Sequence, residues 1–185
     1  ESGIENIYTD LNEFLADPIL EVVYIALPNS LHYEYALKAI RYGKHVHLEK
    51  PITTNIREAL HLFEEAEKNN VFIFEGICNI YDPNFLVIKE IIQKPSLLYS
   101  TFNQLSSKYK ILSEGGTPNV FNPDFSGGVL MDLIVYQLHA CCSLFGKPKN
   151  ISYFPKKHSN GIDLSGTAVL EYENFNATLI ASKDA

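Results

Sequence analysis

Basic residues, cysteines and long apolar runs are all scarce in this sequence, and each shortage rules something out. Lys and Arg number 15 against 22 Asp and Glu, a formal charge of -7. A nucleic-acid surface needs clustered Lys and Arg to meet phosphates, so no nucleic-acid partner is expected, although a local basic site for a small anion stays open. The only cysteines are Cys78, Cys141 and Cys142, without the C-x-x-C or Cys/His spacing of a metal or redox site. They read as reduced core thiols of a cytoplasmic protein. His45 and His47 share one face of a strand. No third ligand stands at a usable spacing, so no metal is expected. No segment approaches the roughly 18 to 20 consecutive apolar residues of a membrane span, and the start lacks the pattern of a signal peptide. No membrane partner is expected. The chain opens on ESGIENIYTD without a Met and finishes in the strand-like LIASKDA, so both ends look cut.

What remains is ordinary globular material. Over 185 residues, 46% are hydrophobic and 20% charged, enough for one domain or two small ones. VVYIAL (22–27) is a short continuous apolar run, the sign of a strand buried on both faces. HVHL (45–48) and VFIFE (71–75) follow as strands. Between them lie SLHYEYALKAIRYG, with Ser30 as N-cap and a stop at Gly43, and NIREALHLFEEAEKNN, with an Asn55/Glu58 capping pair. TDLNEFLAD upstream is one more helix. Strands and helices alternating at about 25-residue spacing mean βαβαβ units and a doubly wound parallel sheet. Ligands of such sheets sit outside the carboxyl ends of the strands. That edge gathers Pro28, Asn29, His32, Glu49, Lys50 and Glu75.

The second half changes character near residues 76–82. DPNFLVIKEIIQ (82–93) predicts a helix with Pro83 at its start, and LLYSTFNQLSSKY alternates like an antiparallel strand. SEGGTPNVFNPDFSGG (113–128) is a long Gly, Pro, Asn and Ser-rich loop, a length usually functional. GVLMDLIVYQLHACCSLFG is a helix ending at Gly146, and NISYFP, SGTAVLEYE and NATLIASK supply further strands. The fold class is therefore α/β followed by an α+β domain with an antiparallel sheet.

Two features carry chemistry. Lys50 stands where the HVHL strand runs out, beside Glu49 and the ladder-stopping Pro51. A lone lysine there is a solvated surface group. Asp132, Tyr136 and His139 add a polar stripe, at i, i+4 and i+7, to an otherwise apolar helix. Such a stripe must be satisfied. It is either an internal hydrogen-bond network or the wall of a crevice shared with Lys50, and spacing alone leaves both readings open.

VYIALPNSLHYEYALKAIRYGKHVHLEKPITTN (23–55) resembles the signature of the glucose–fructose oxidoreductase / inositol dehydrogenase / MocA (Gfo/Idh/MocA) family of NAD(P)-dependent oxidoreductases. SGGVLMDLIVY (126–136) is similar to that family's second motif, G-G-x-x-x-D-x-G-x-[HY]. Tyr at position 136 makes the chain most similar to the dihydrodiol dehydrogenase-like branch. The resemblance implies that residues 1–80 are the C-terminal part of a Rossmann domain, and 81–185 part of a substrate and oligomerisation domain. It implies Lys50 as the catalytic lysine, Tyr136 as the group that gives or takes the hydroxyl proton, and Asp132 as orienting substrate and supporting Lys50. Pro28, Asn29 and His32 would line the nicotinamide–ribose side, with Glu49 and Pro51 shaping the cofactor crevice. His139, Lys108 and Asn122 are further candidate substrate contacts. The implied cofactor is NAD or NADP, the substrate a sugar, polyol or cyclic diol, and the assembly a homo-oligomer through the antiparallel sheet.

Three departures stand out. The G-x-G-x-x-G fingerprint is absent; in the family it belongs to a βαβ unit that would precede residue 1. Ile134 replaces the second motif's Gly, and Ile80 stands where many members carry Arg. A catalytically silent dinucleotide-binding regulator on the same fold is the alternative function.

Overall fold

The structure, a computed structural model, describes residues 6–92 and 94–185. The opening residues 1–5 lie outside the described residues, as does Gln93 at the expected end of the 82–93 helix. The chain forms two compact units: one reaches Leu27 and resumes from Leu31 to Gly76, and the other takes Pro28–Ser30 and Ile77–Ala185.

The first unit runs α1 (Leu11–Ala16), β1 (Val22–Ile25), α2 (His32–Arg41), β2 (His45–Leu48), α3 (Ile56–Lys68) and β3 (Ile73–Glu75). The strands form one parallel sheet in the order β1-β2-β3, with Ile25 level with Leu48 and Leu48 level with Glu75. Asp10 caps α1 by accepting from the Asn12 and Glu13 amides, and the Asn55 side chain accepts from the Glu58 amide to start α3. Glu58 returns its carboxylate to the Thr54 hydroxyl, 3.3 Å away. Ser30 does not cap α2: it lies in a 3₁₀ turn (Asn29–Leu31), and α2 begins after Leu31 without a side-chain cap. Gly43, with φ +72°, follows that helix in the left-handed conformation that ends it.

All three helices contribute to one core with Val23, Ile25, Val46 and Leu48. The expectation that the first strand is buried on both faces is corrected accordingly. Among the described residues the helices cover one face, and Val22 and Tyr24 remain 53% and 58% exposed on the other.

The second unit contains α4 (Pro83–Ile91), β4 (Leu98–Asn103), α5 (Tyr109–Ser113), α6 (Val135–Phe145), β5 (Asn150–Lys157), β6 (Asp163–Glu171) and β7 (Asn176–Ser182). Its sheet order is β4-β7-β6-β5. β5, β6 and β7 pair antiparallel, whereas β4 lies parallel to β7, with Leu98 level with Ala177 and Asn103 with Ser182. The sheet is thus mixed: alternation in 97–109 shows a half-buried strand but carries no information on partner direction. Inward-facing Ala168, Leu170, Ala177, Leu179 and Ala181 meet Val129, Leu133, Ile134 and Cys141 in the second core. The segment entering α6 is a π turn, Leu130–Ile134, in which the Val135 amide reaches back to the Leu130 carbonyl.

The helical run Pro123–Phe145 is, by length and composition, long and apolar enough to cross a membrane. This differs from the expectation because Asp124, Ser126 and Asp132 interrupt the consecutive run while the average stays apolar. In this structure Val129, Leu133 and Ile134 of that run are buried against the sheet.

Candidate active site

In the first unit the site residues cluster at the carboxyl edge of the parallel sheet. The Glu49 amide donates to the Ile25 carbonyl at 3.0 Å and the Gly76 amide to the Leu48 carbonyl at 2.7 Å, so these strand ends are tied to each other. Lys50 is half-buried there, and the peptide joining it to Pro51 is cis. The Tyr24 hydroxyl donates to the Glu49 carboxylate. The Glu75 carboxylate accepts from the Ile52 amide at 2.9 Å, which fixes the turn after Pro51. The edge therefore presents one ammonium and two carboxylates on backbone that hydrogen bonds hold in place.

His32 occupies a different place from the one its motif suggests. It is 0% exposed, with Nδ1 2.8 Å from the Pro51 carbonyl oxygen and Nε2 2.8 Å from that of Leu27. It stands behind the edge and braces two of its loops. It does not line a surface: the ring is enclosed between these two backbone carbonyls, and its N–H donates to one of them.

In the second unit Pro28, Asn29, Asn119, Val120, Phe125, Gly127 and Asp132 line a cavity of about 130 Å³. Asn29 is oriented by its Nδ2 donating to the Ser126 carbonyl at 2.9 Å. Ser126 adopts a left-handed conformation, φ +52°, and leads into Gly127 and Gly128 at the head of the helix. Asp132 sits in the π turn, and its Oδ2 pairs with the Lys183 ammonium. Lys183 is 4% exposed, and its Nζ lies 5.8 Å from the centre of the Phe121 ring. A buried ammonium is tolerated only with a counter-charge or good acceptors, and Asp132 supplies one.

Lys183 is the residue that sequence reasoning missed. The signal was present: Ala177, Leu179 and Ala181 are the inward positions of β7, and 183 is the next in phase. A lysine in a core phase demands a buried partner.

The remaining candidates are placed as follows. Tyr136 is half-buried on α6, with its ring 6.0 Å from that of Phe102 and its carbonyl accepting from Asn79 Nδ2 at 2.9 Å. His139 is half-buried one turn further along. Ile134 is 0% exposed and belongs to the core against the sheet, so the side chain replacing the motif's glycine is accommodated by packing. Lys108 is exposed beside α5. Asn122 accepts from the Asp124 amide at 2.9 Å, and Asn119 lines the cavity together with Asn29. Among the described residues no group of three or more His, Cys, Asp or Glu side chains is placed to hold a metal.

Residues 1–77 match the oxidoreductase family with an NAD-binding Rossmann fold, and residues 94–185 match the GFO/IDH/MocA C-terminal domain. The chain belongs to the Gfo/Idh/MocA family. It is 36% identical over 179 residues to scyllo-inositol 2-dehydrogenase (NADP(+)) IolU of Bacillus subtilis (strain 168), covering 95% of this chain and 55% of that protein. D-xylose 1-dehydrogenase (NADP(+)) of Hypocrea jecorina is 31% identical over 190 residues, covering 95% of this chain and 49% of that protein. Among solved structures, an NAD-binding protein from Listeria innocua superposes with a TM-score of 0.82 at 24% identity, over 96% of this chain and 53% of that one, and so shares the fold. The Gfo/Idh/MocA chain described here spans about half the length of the curated relatives it matches.

Proposed function

We propose that this protein is an NAD(P)-dependent dehydrogenase or reductase that moves a hydride between nicotinamide and a carbinol or carbonyl carbon of a sugar, polyol or cyclic diol. The observation that supports this most is Asp132, a carboxylate held by a buried ammonium at the wall of a small cavity that Asn29 and Asn119 also line. Oriented acceptors of this kind suit ligands with several hydroxyl groups. Membership of a family whose relatives are named as NADP(+)-dependent inositol and xylose dehydrogenases points the same way.

The residues present fit the nicotinamide–ribose end of such a cofactor. Glu49 and Glu75 are acceptors suited to ribose hydroxyls, and Lys50 supplies a cation on a fixed strand end. The glycine-rich pyrophosphate fingerprint is absent from this sequence. When bound, nicotinamide supplies hydride acceptor or donor chemistry. The protein must then manage one proton, because oxidation of a carbinol releases the hydroxyl proton as the carbonyl forms. Lys50 and Tyr136 are the proposed acid/base groups: an ammonium can donate to a carbonyl oxygen, and a phenol can give or take the hydroxyl proton. Asp132 accepts from a substrate hydroxyl and so fixes which carbon presents its hydrogen.

The test uses the full-length protein. NADH and NADPH are titrated separately by nicotinamide fluorescence, followed by a turnover screen of inositols, aldoses and diols. Saturable binding with turnover that disappears in Lys50→Ala, while binding persists, supports the dehydrogenase. Binding without turnover in the parent points to a silent regulator. Failure of the folded protein to bind either nucleotide rejects both. Homo-oligomerisation through the sheet face opposite α6, which exposes Tyr99 and Phe154 at 64% and 63%, is part of the same proposal, and sedimentation equilibrium tests it.

A further inference from the structure

Lys183 is a buried charged residue, 4% exposed, at the end of β7. Its backbone is clamped on both sides: its amide donates to the Leu164 carbonyl at 2.8 Å, and its carbonyl accepts from the Ser106 amide at 3.0 Å. Ser182 before it accepts from the Gln104 amide at 2.9 Å. The strand end therefore cannot drift, and the side chain is delivered at one angle past Phe121, itself 0% exposed, to Asp132 Oδ2. Asp132 in turn borders the cavity with Asn29 and Asn119.

Resting on the dehydrogenase reading, we propose that Lys183 is a positioning residue of this site. Its buried ammonium fixes Asp132 as an oriented, ionised acceptor for a substrate hydroxyl, and so sets the preference for polyhydroxylated substrates. The reasoning is physical. The Asp132 side chain is 31% exposed, so without a partner it would sample more than one rotamer at the cavity wall. One oxygen anchored to an immobile cation removes that freedom before substrate arrives, so the ordering cost is met on folding and not on binding. Paired with this ammonium, the carboxylate turns an acceptor toward the cavity, which is what a substrate hydroxyl needs. Lys183 acts through Asp132 and has no separate contact with the reacting carbon in this account.

The experiment is a double-mutant cycle in the full-length protein with NADP(+) and whichever of scyllo-inositol or D-xylose turns over better. Lys183→Met should lower kcat/KM for the sugar by about 10- to 100-fold, with the KM for NADP(+) changed less than about twofold. Asp132→Asn should add little further loss in the Lys183→Met background, because both changes remove one function. Folded Lys183→Met with parent-like sugar kinetics, or losses that multiply, overturns the inference. Should Lys183→Met alone fail to fold, Lys183→Met/Asp132→Asn, which removes both charges, is compared with Asp132→Asn. Matching kinetics then support a role through Asp132, and a further loss overturns it. A parent without turnover on any sugar or polyol rejects the dehydrogenase reading and this inference with it, whereas turnover indifferent to Lys183 rejects this inference alone.

Discussion

His32 and Pro51 are joined by a 2.8 Å contact from the buried imidazole to the Pro51 carbonyl, while the other ring nitrogen meets Leu27. One side chain thus ties the end of the first strand to the turn that carries Lys50. His32→Ala removes the ring N–H that donates to one of these carbonyls and leaves a cavity beneath the loops. The expected loss is about 2 to 4 kcal/mol of unfolding free energy. Urea denaturation of the full-length protein measures it, and a loss below about 0.5 kcal/mol would show that the brace is dispensable.

Burial also sets an alkaline limit to stability. Tyr153 is half-buried with its hydroxyl donating to Asp163, and desolvation, followed by that bond, raises its phenol well above the ordinary tyrosine range. Burial raises the Tyr172 phenol to about 12. A raised folded-state pKa means that the contribution is intact below the unfolded value of about 10 and fades as pH climbs above it. Unfolding free energy should therefore fall between about pH 10 and 12, and Tyr153→Phe should make that fall shallower. An unchanged slope would remove Tyr153 from the account.

Much of the fold was legible because its signals are local. His45–Leu48 is a strand with the predicted bounds, and Asn55 caps α3 as the Asn55/Glu58 spacing suggested. Ser30 was a plausible cap by residue type, but the chain takes a 3₁₀ turn through it and starts α2 one residue later than that cap would, at His32. The partner of β4 was not legible, since the choice of β7 depends on a pairing about 80 residues away in sequence. At the site, the polar stripe on the helix was visible. The π turn that carries Asp132 was not, because no residue type encodes an amide reaching five residues back. Lys183 was readable only by extending the β7 alternation one step past the strand.

The cysteines differ in access. Cys141 is 2% exposed, and burial pushes its thiol up to about 11, whereas Cys78 is exposed. Thiolate is the reactive form. Iodoacetamide at neutral pH should therefore modify Cys78 in the native protein and reach Cys141 only on unfolding, as peptide mass mapping can show. Equal labelling of both in the folded protein would contradict the packing of α6 against the sheet.

Gly128 tests how tightly the head of the helix is held. Its φ of +107° disfavours any L side chain, and a Cβ there would lie 1.9 Å from Asp163 Oδ1. The same carboxylate accepts from the Leu130 amide at 2.9 Å through its other oxygen, so displacing it releases the first turn of the segment that carries Asp132. Gly43 is the control: its φ is +72°, but a Cβ there meets nothing within 4 Å. Gly43→Ala should cost about 1 kcal/mol for backbone strain alone, and Gly128→Ala about 2 to 4 kcal/mol. Because the extra cost comes from moving Asp163, Gly128→Ala should also reduce turnover while leaving nucleotide affinity intact. Equal costs at the two glycines would mean that Asp163 yields freely, and the helix head would then not depend on it.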